Sequence, residues 1–199
     1  MIKYFYIPGY FTSFSEICLL EELQQQSPQY FYEDRIIAGS YDLPQGLKWN
    51  GGRGGAYNWA NLPYKASLTH KIMKYFSNKT NFSLLHTCTN LFIDTEDLLN
   101  DKICNEFLAY YYKPKDKVII ANPILKKYLH DKYPYISFVN STTLGIIDIN
   151  EVNKLSENEI YVVNYSKNND NNYLMSLSNK DNLELICAEQ CVPNCPNRQ

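Results

Sequence analysis

Lys117-Val118-Ile119-Ile120-Ala121, Ile136-Ser137-Phe138-Val139-Asn140 and Ile160-Tyr161-Val162-Val163-Asn164 are three short apolar runs that recur every roughly 20–25 residues. They are rich in β-branched residues and show little alternation, as expected of strands covered on both faces. The stretch between the first two opens with Asn122-Pro123, a capping amide beside a proline at the first helical position, and predicts a helix to Lys132 before Tyr133-Pro134. A strand, a helix and a further strand at this spacing imply parallel pairing through right-handed crossovers. The fold class is therefore α/β.

Working outward, further strand-like runs occur at 2–7, 35–40, 82–89 and 183–188, making seven in all. Ser13 and Glu16 have the S-x-x-E spacing of a capping box and predict a helix over 14–26, with Ile17, Leu20 and Leu23 on its apolar side. Asp94 followed by Thr95-Glu96-Asp97 predicts an acidic first turn and one helix reaching Tyr111, with Leu98, Leu99, Ile103 and Phe107 buried. Shorter helices are expected near 67–77, 148–155 and 170–178. A barrel and an open doubly wound sheet both accommodate this order. The short, regular units after residue 82, and the lack of an early glycine-rich turn opening a helix, favour a (β/α) TIM-type barrel. A complete barrel typically takes about 250 residues. With 199 residues and seven strands, the expectation is one barrel domain over 1–199 that lacks its eighth unit.

Composition narrows the function classes. Hydrophobic residues make up 45% of the chain and charged ones 20%, which excludes disorder and collagen. The 19 basic and 21 acidic residues leave no basic face broad enough for nucleic-acid binding by charge alone. No apolar run reaches the roughly 18 residues that span a bilayer, and Met1-Ile2-Lys3-Tyr4 does not open a signal peptide, so a cytoplasmic location is expected. In that compartment the six cysteines read as thiols or metal ligands rather than disulfides.

Chemistry in a parallel barrel gathers where strands end. The polar residues at those places are Ser40 with Asp42, Asn90, Asn122, Ser141-Thr142-Thr143, Asn164 and Glu189. Asn122 and Thr142 read as helix caps. Asn90 and Asn164 each end a strand several residues before a helix can begin, so their amides are candidates for the barrel mouth, and Glu189 is the one acid/base there. Trp49-Asn50-Gly51-Gly52-Arg53-Gly54-Gly55 holds half of the eight glycines; its backbone can approach a ligand closely and Arg53 offers a planar fork for a small anionic molecule. The alternative is a loop with a solvated arginine. Cys191 and Cys195 follow the last strand, with Cys187 upstream, at a spacing compatible with an iron-sulfur cluster or zinc. Cys18 and Cys104 read as core thiols, and His86, inside a strand, as a core histidine.

Together, Tyr6-Ile7-Pro8-Gly9, Gly39-Ser40, Trp49-Asn50-Gly51-Gly52-Arg53, Thr89-Asn90, Asp101 with Cys104-Asn105, Ser141-Thr142-Thr143, and Glu184-Leu185 with Glu189, Cys191, Pro193, Cys195-Pro196 and Arg198 carry a resemblance. Over nearly its whole length the chain resembles uncharacterised bacterial and phage proteins related to the collagenase-like peptidase family. The resemblance implies a (β/α) barrel that continues past a C-x-x-x-C-P-x-R segment. The wider superfamily includes iron-sulfur proteins that hydroxylate tRNA or ubiquinone precursors with prephenate as oxygen donor. Carried over by position, it implies a site of Asn50, Gly51, Gly52, Arg53, Asn90, Glu189, Cys191, Cys195 and Arg198. Cys187 stands where such proteins have an apolar residue. No catalytic triad or HExxH zinc site supports proteolysis. Two functions are therefore expected as alternatives: a barrel enzyme acting on a small anionic substrate, or a non-catalytic barrel that binds a protein partner. Under either, the barrel gap predicts a homo-oligomer or a partner that covers the free strand edges.

Overall fold

The computed structural model describes residues 3–51, 61–157 and 159–186. Its seven strands are β1 (Lys3–Pro8), β2 (Arg35–Asp42), β3 (Ser83–Cys88), β4 (Lys117–Ile120), β5 (Phe138–Asn140), β6 (Ile160–Val162) and β7 (Leu183–Glu184). They form one sheet in chain order, each parallel to the next. Strictly sequential parallel order is the winding of a barrel wall. A doubly wound sheet instead reverses direction at a switch point. The sheet is a curled half-barrel flanked by helices, with β1 and β7 as its two edges.

The helices are α1 (Phe14–Gln26), α2 (Ala66–Ser77), α3 (Glu96–Leu99), α4 (Lys102–Tyr111), α5 (Pro123–Lys132), α6 (Ile149–Leu155) and α7 (Asn171–Ser176). Two details of the sequence reading are corrected. The capping box of α1 does not form: Ser13, at φ −123° and ψ 40°, makes no side-chain cap bond, and the Glu16 carboxylate instead accepts from the Ser15 hydroxyl at 2.9 Å. The single helix expected from Asp94 to Tyr111 is two. Thr95 caps α3 through Leu98 N, and the chain breaks at Asn100-Asp101, where Asp101 Oδ1 accepts from Cys104 N at 2.9 Å to start α4. Asn105 Nδ2 donates to the Leu99 carbonyl, which a continuous helix would have paired internally, and shares the Asp101 carbonyl with Asn105 N. The break also turns the buried stripe onto Cys104, Phe107 and Leu108, leaving Ile103 exposed.

Alternate residues of each strand serve different layers, as the period of two requires. Leu84, Cys88, Val118, Ile120 and Phe138 face the helices and join one large core with Ile72 and Phe76 of α2, Phe107 and Leu108 of α4, and Leu125 and Leu129 of α5. Leu85, Val139 and Val162 face the other way and form a buried cluster against Tyr6, Ile119, Ile160 and Ile186. That second cluster draws on both edges of the sheet, so the concave side is filled with side chains in the manner of a barrel interior. A third cluster of Val152, Tyr161, Val163, Tyr173 and Leu177 covers the outside of β6 and β7. Gly39 of β2 lies so close to β3 that a Cβ would sit 2.1 Å from the Ser83 carbonyl oxygen. The register between β1 and β2 shifts beside it, between Phe5 and Tyr6.

Candidate functional site at the carboxyl-terminal rim

Three of the proposed rim residues come together. After β2 the chain crosses the end of β3, where Asn90 N donates to Trp49 O at 3.1 Å. Trp49 anchors this crossing: it is 1% exposed, and its indole N–H donates to Leu98 O at 2.9 Å. Gly51 packs directly on the β3 exit, and a Cβ there would stand 2.3 Å from the Thr89 carbonyl carbon and 2.4 Å from Asn90 N. Only a residue without a side chain fits such a backbone approach. Asn50 is buried, with Nδ2 3.5 Å from Leu43 O and Oδ1 3.5 Å from the Thr87 hydroxyl. Asn90 spends both ends of its amide on the crossing, donating to Lys48 O at 2.7 Å and accepting from Phe92 N at 2.9 Å. Asn50, Gly51 and Asn90 thus meet where the chain crosses the end of β3. Gly52 and Arg53 themselves lie outside the described residues, as do Glu189, Cys191, Cys195 and Arg198.

Asn164 stands at the β6 exit, three strands further round. Its Oδ1 accepts from Ser166 N at 3.0 Å and from the Ser166 hydroxyl at 2.8 Å, capping a 3₁₀ turn over Tyr165–Lys167. Asn122 caps α5 as its sequence suggests, and its Nδ2 also ties down the carbonyls of Leu91 and Ile93. Thr142 donates to Val163 O at 3.4 Å, and Ser141 caps the turn that contains it. The rim is therefore built by short polar side chains that hold loops by their backbones.

Asp42, at the β2 exit, is 7% exposed and receives four bonds: Phe11 N, Thr12 N and the Thr12 hydroxyl at Oδ2, and Leu43 N at Oδ1. Burial pushes its carboxyl up, against the downward pull of those donors. It locks the loop before α1 onto the rim. On the concave side, burial likewise raises the Glu184 carboxyl of β7, with Lys117 of β4 acting in the opposite sense. Burial and the Glu184 charge both raise the Tyr6 phenol of β1. Sequence reasoning did not select Lys117 or Glu184 as a pair. The available signal was a charged residue at an inward position of two otherwise apolar strands.

His86 is fully buried on the helix-facing side, with the Tyr10 hydroxyl 2.8 Å from Nδ1 and Asp116 Oδ2 3.9 Å from Nε2. This is the core histidine expected from its strand position. Cys88 and Cys104 are buried thiols whose pKa burial drives far up, which disfavours the thiolate that a metal needs. Among the described residues, no group of three or more His, Cys, Asp or Glu side chains is placed to hold a metal ion, and no helix is long and apolar enough to cross a membrane.

Comparison of the chain with protein-family models, curated proteins and solved structures finds no match.

Proposed function

We propose that this chain is a barrel-type enzyme, akin to the collagenase-like peptidase and hydroxylase superfamily, which holds a small anionic substrate at the carboxyl-terminal rim of its strands. The observation that carries the reading is the seating of Gly51 against the Thr89–Asn90 backbone, supported by the buried Asn50 amide. It puts Gly51 at the end of β3, on the rim where parallel barrels gather their chemistry, and Arg53 follows two residues later in the sequence. Arg53 and Arg198 would supply the fork that grips a carboxylate or phosphate. Asn164 would orient the substrate, Asn90 would hold the rim in shape through the crossing that its amide ties down, and Glu189 would serve as acid or base. A cofactor, an iron-sulfur cluster or zinc, would be held by Cys191 and Cys195; Cys88 and Cys104 are too deeply buried to complete its ligand set. Such a centre would supply redox or Lewis-acid chemistry.

The test is twofold. Protein purified without oxygen is analysed for iron, sulfide and zinc, alongside Cys191→Ala and Cys195→Ala. Substrate binding is then followed by the melting temperature in a panel of small carboxylates and phosphates, alongside Arg53→Ala. Bound metal lost in the cysteine variants, and a stabilisation by anions lost in Arg53→Ala, are the expected results. A metal-free protein that is indifferent to every anion would remove the enzyme reading.

A second reading has its own support. Among the described residues β1 and β7 are the sheet edges, and Tyr4 within β1 is 64% exposed. Exposed edges invite another strand, which favours a homo-oligomer or a protein partner across the gap. Sedimentation of the purified chain distinguishes a monomer from an oligomer.

A further inference from the structure

The described residues also line an open cleft of about 510 Å³ at the opposite end of the strands from the rim, between the ends of α2 and α4 and the starts of β3 and β4. Its volume lies within the range that holds small ligands. The floor is apolar and rigid: Met73, Phe76 and Leu84 are all at most 4% exposed and belong to the main core. Tyr110 and Tyr111 form a wall, their rings edge-to-face at 4.8 Å. Lys74 and Lys113 stand at the mouth, and neither forms an ion pair with a described residue.

Two features that would oppose an anion here are partly offset. Asp116 lines the cavity, but its Oδ1 accepts from Leu84 N at 2.9 Å and its Oδ2 from Lys113 N at 3.0 Å, so its charge is directed into the backbone. The carboxyl end of α2 would present the negative pole of its dipole. Lys115 occupies that end, donating to Phe76 O at 3.3 Å and to Lys79 O. What remains is an apolar and aromatic slot with uncommitted cations at its entrance.

We propose that this cleft is a binding site for an aromatic carboxylate, with the ring against the wall of exposed Tyr110 and half-buried Tyr111, above the floor of Met73 and Phe76, and the carboxylate toward Lys74 and Lys113. It is separate from the rim site and does not depend on Arg53.

The test is calorimetric titration of the full chain with 4-hydroxyphenylacetate, with tyramine as the cationic analogue of the same ring and inorganic phosphate as an anion without a ring. Saturable binding of the arylacetate alone is expected. Lys74→Gln with Lys113→Gln should weaken it by about tenfold or more, the worth of one charge-assisted hydrogen bond. Tyr110→Ala should weaken it less, while Lys102→Gln, on the same helix but away from the cavity lining, and Arg53→Ala should leave it unchanged. The substituted lysines are exposed, so the variants are expected to melt with the parent protein. Equal binding of tyramine or phosphate, full affinity in the double lysine variant, loss in Arg53→Ala, or no binding of the arylacetate would each overturn the assignment.

Discussion

The helix-facing layer over β1–β5 and the corresponding layer over β6–β7 are built on one plan with different depth. The first contains Trp49, Phe76, Phe107 and Leu129 in a single continuous core that spans five strands and five helices. The second rests on Val152, Tyr161, Val163, Tyr173 and Leu177. Strand length falls in the same direction, from eight residues in β2 to two in β7, and the last two helices have seven and six residues. Cooperative stability follows the extent of shared packing, so the amino-terminal part should behave as the rigid body and the carboxyl-terminal units as the part that opens first. The polar bonds of the second region, such as Asn182 Nδ2 to Ser156 O and Asn179 Nδ2 to Asn153 O, partly replace the missing apolar area.

Several substitutions would break or sharpen this contrast. The largest effect is expected for Trp49→Ala, which empties a nearly closed site and removes the indole bond to the Leu98 carbonyl; it should cost about 3–5 kcal/mol in urea unfolding. A cost below about 1 kcal/mol would mean that the large core is not the stabilising centre. Leu177→Ala should cost less, about 2 kcal/mol, because its cluster is small and has room to collapse. Hydrogen exchange should show the same order, with β6 amides exchanging before those of β3 and β4; the reverse order would refute the contrast. Asp148→Ala removes two bonds to the first turn of α6, from Asn150 N and Glu151 N, and should cost about 1 kcal/mol.

The smallest effect expected is a pH slope. Burial raises the folded-state pKa of Glu184 above its unfolded value. Its contribution to stability is present in full below the unfolded carboxylate range and declines as pH rises through the raised folded value. Glu184→Gln should therefore gain relative stability from the acidic range toward neutrality, seen as a melting-temperature difference from the parent that grows over that interval. A constant difference across pH would show that Glu184 titrates alike in both states.

Much of this architecture was legible in the chain. The helices at 14–26 and 123–132 match the expected bounds, because an apolar period and proline stops mark their limits. The last strand was over-extended among the described residues: 183–188 was expected, yet the ladder covers Leu183–Glu184 and Ile186 packs beyond it, because apolar residues continue to pack after the hydrogen bonds have ended. The break at Asn100-Asp101 was missed, because it depends on Asn105 reaching back to two carbonyls and on Lys48 lying 3.3 Å from Asp101, neither of which is a local pattern. At the rim, Asn50, Gly51 and Asn90 were selected from glycine content and strand ends, and they do converge. That Asn90 and Asn164 bond the adjoining backbone could not be read from spacing, since the same amide can serve a loop or a ligand.

Periodicity and punctuation in the sequence alone determined the α/β class, the seven units and their parallel sense, because alternation, capping and proline stops act over a few residues. Tertiary structure alone decided how far the sheet curls, which edges stay open, that Tyr6 meets the side chains of the last strands, and that a cation-flanked cavity lies between α2 and α4. These depend on residues distant in sequence approaching within a few ångströms, and no local preference encodes such an approach.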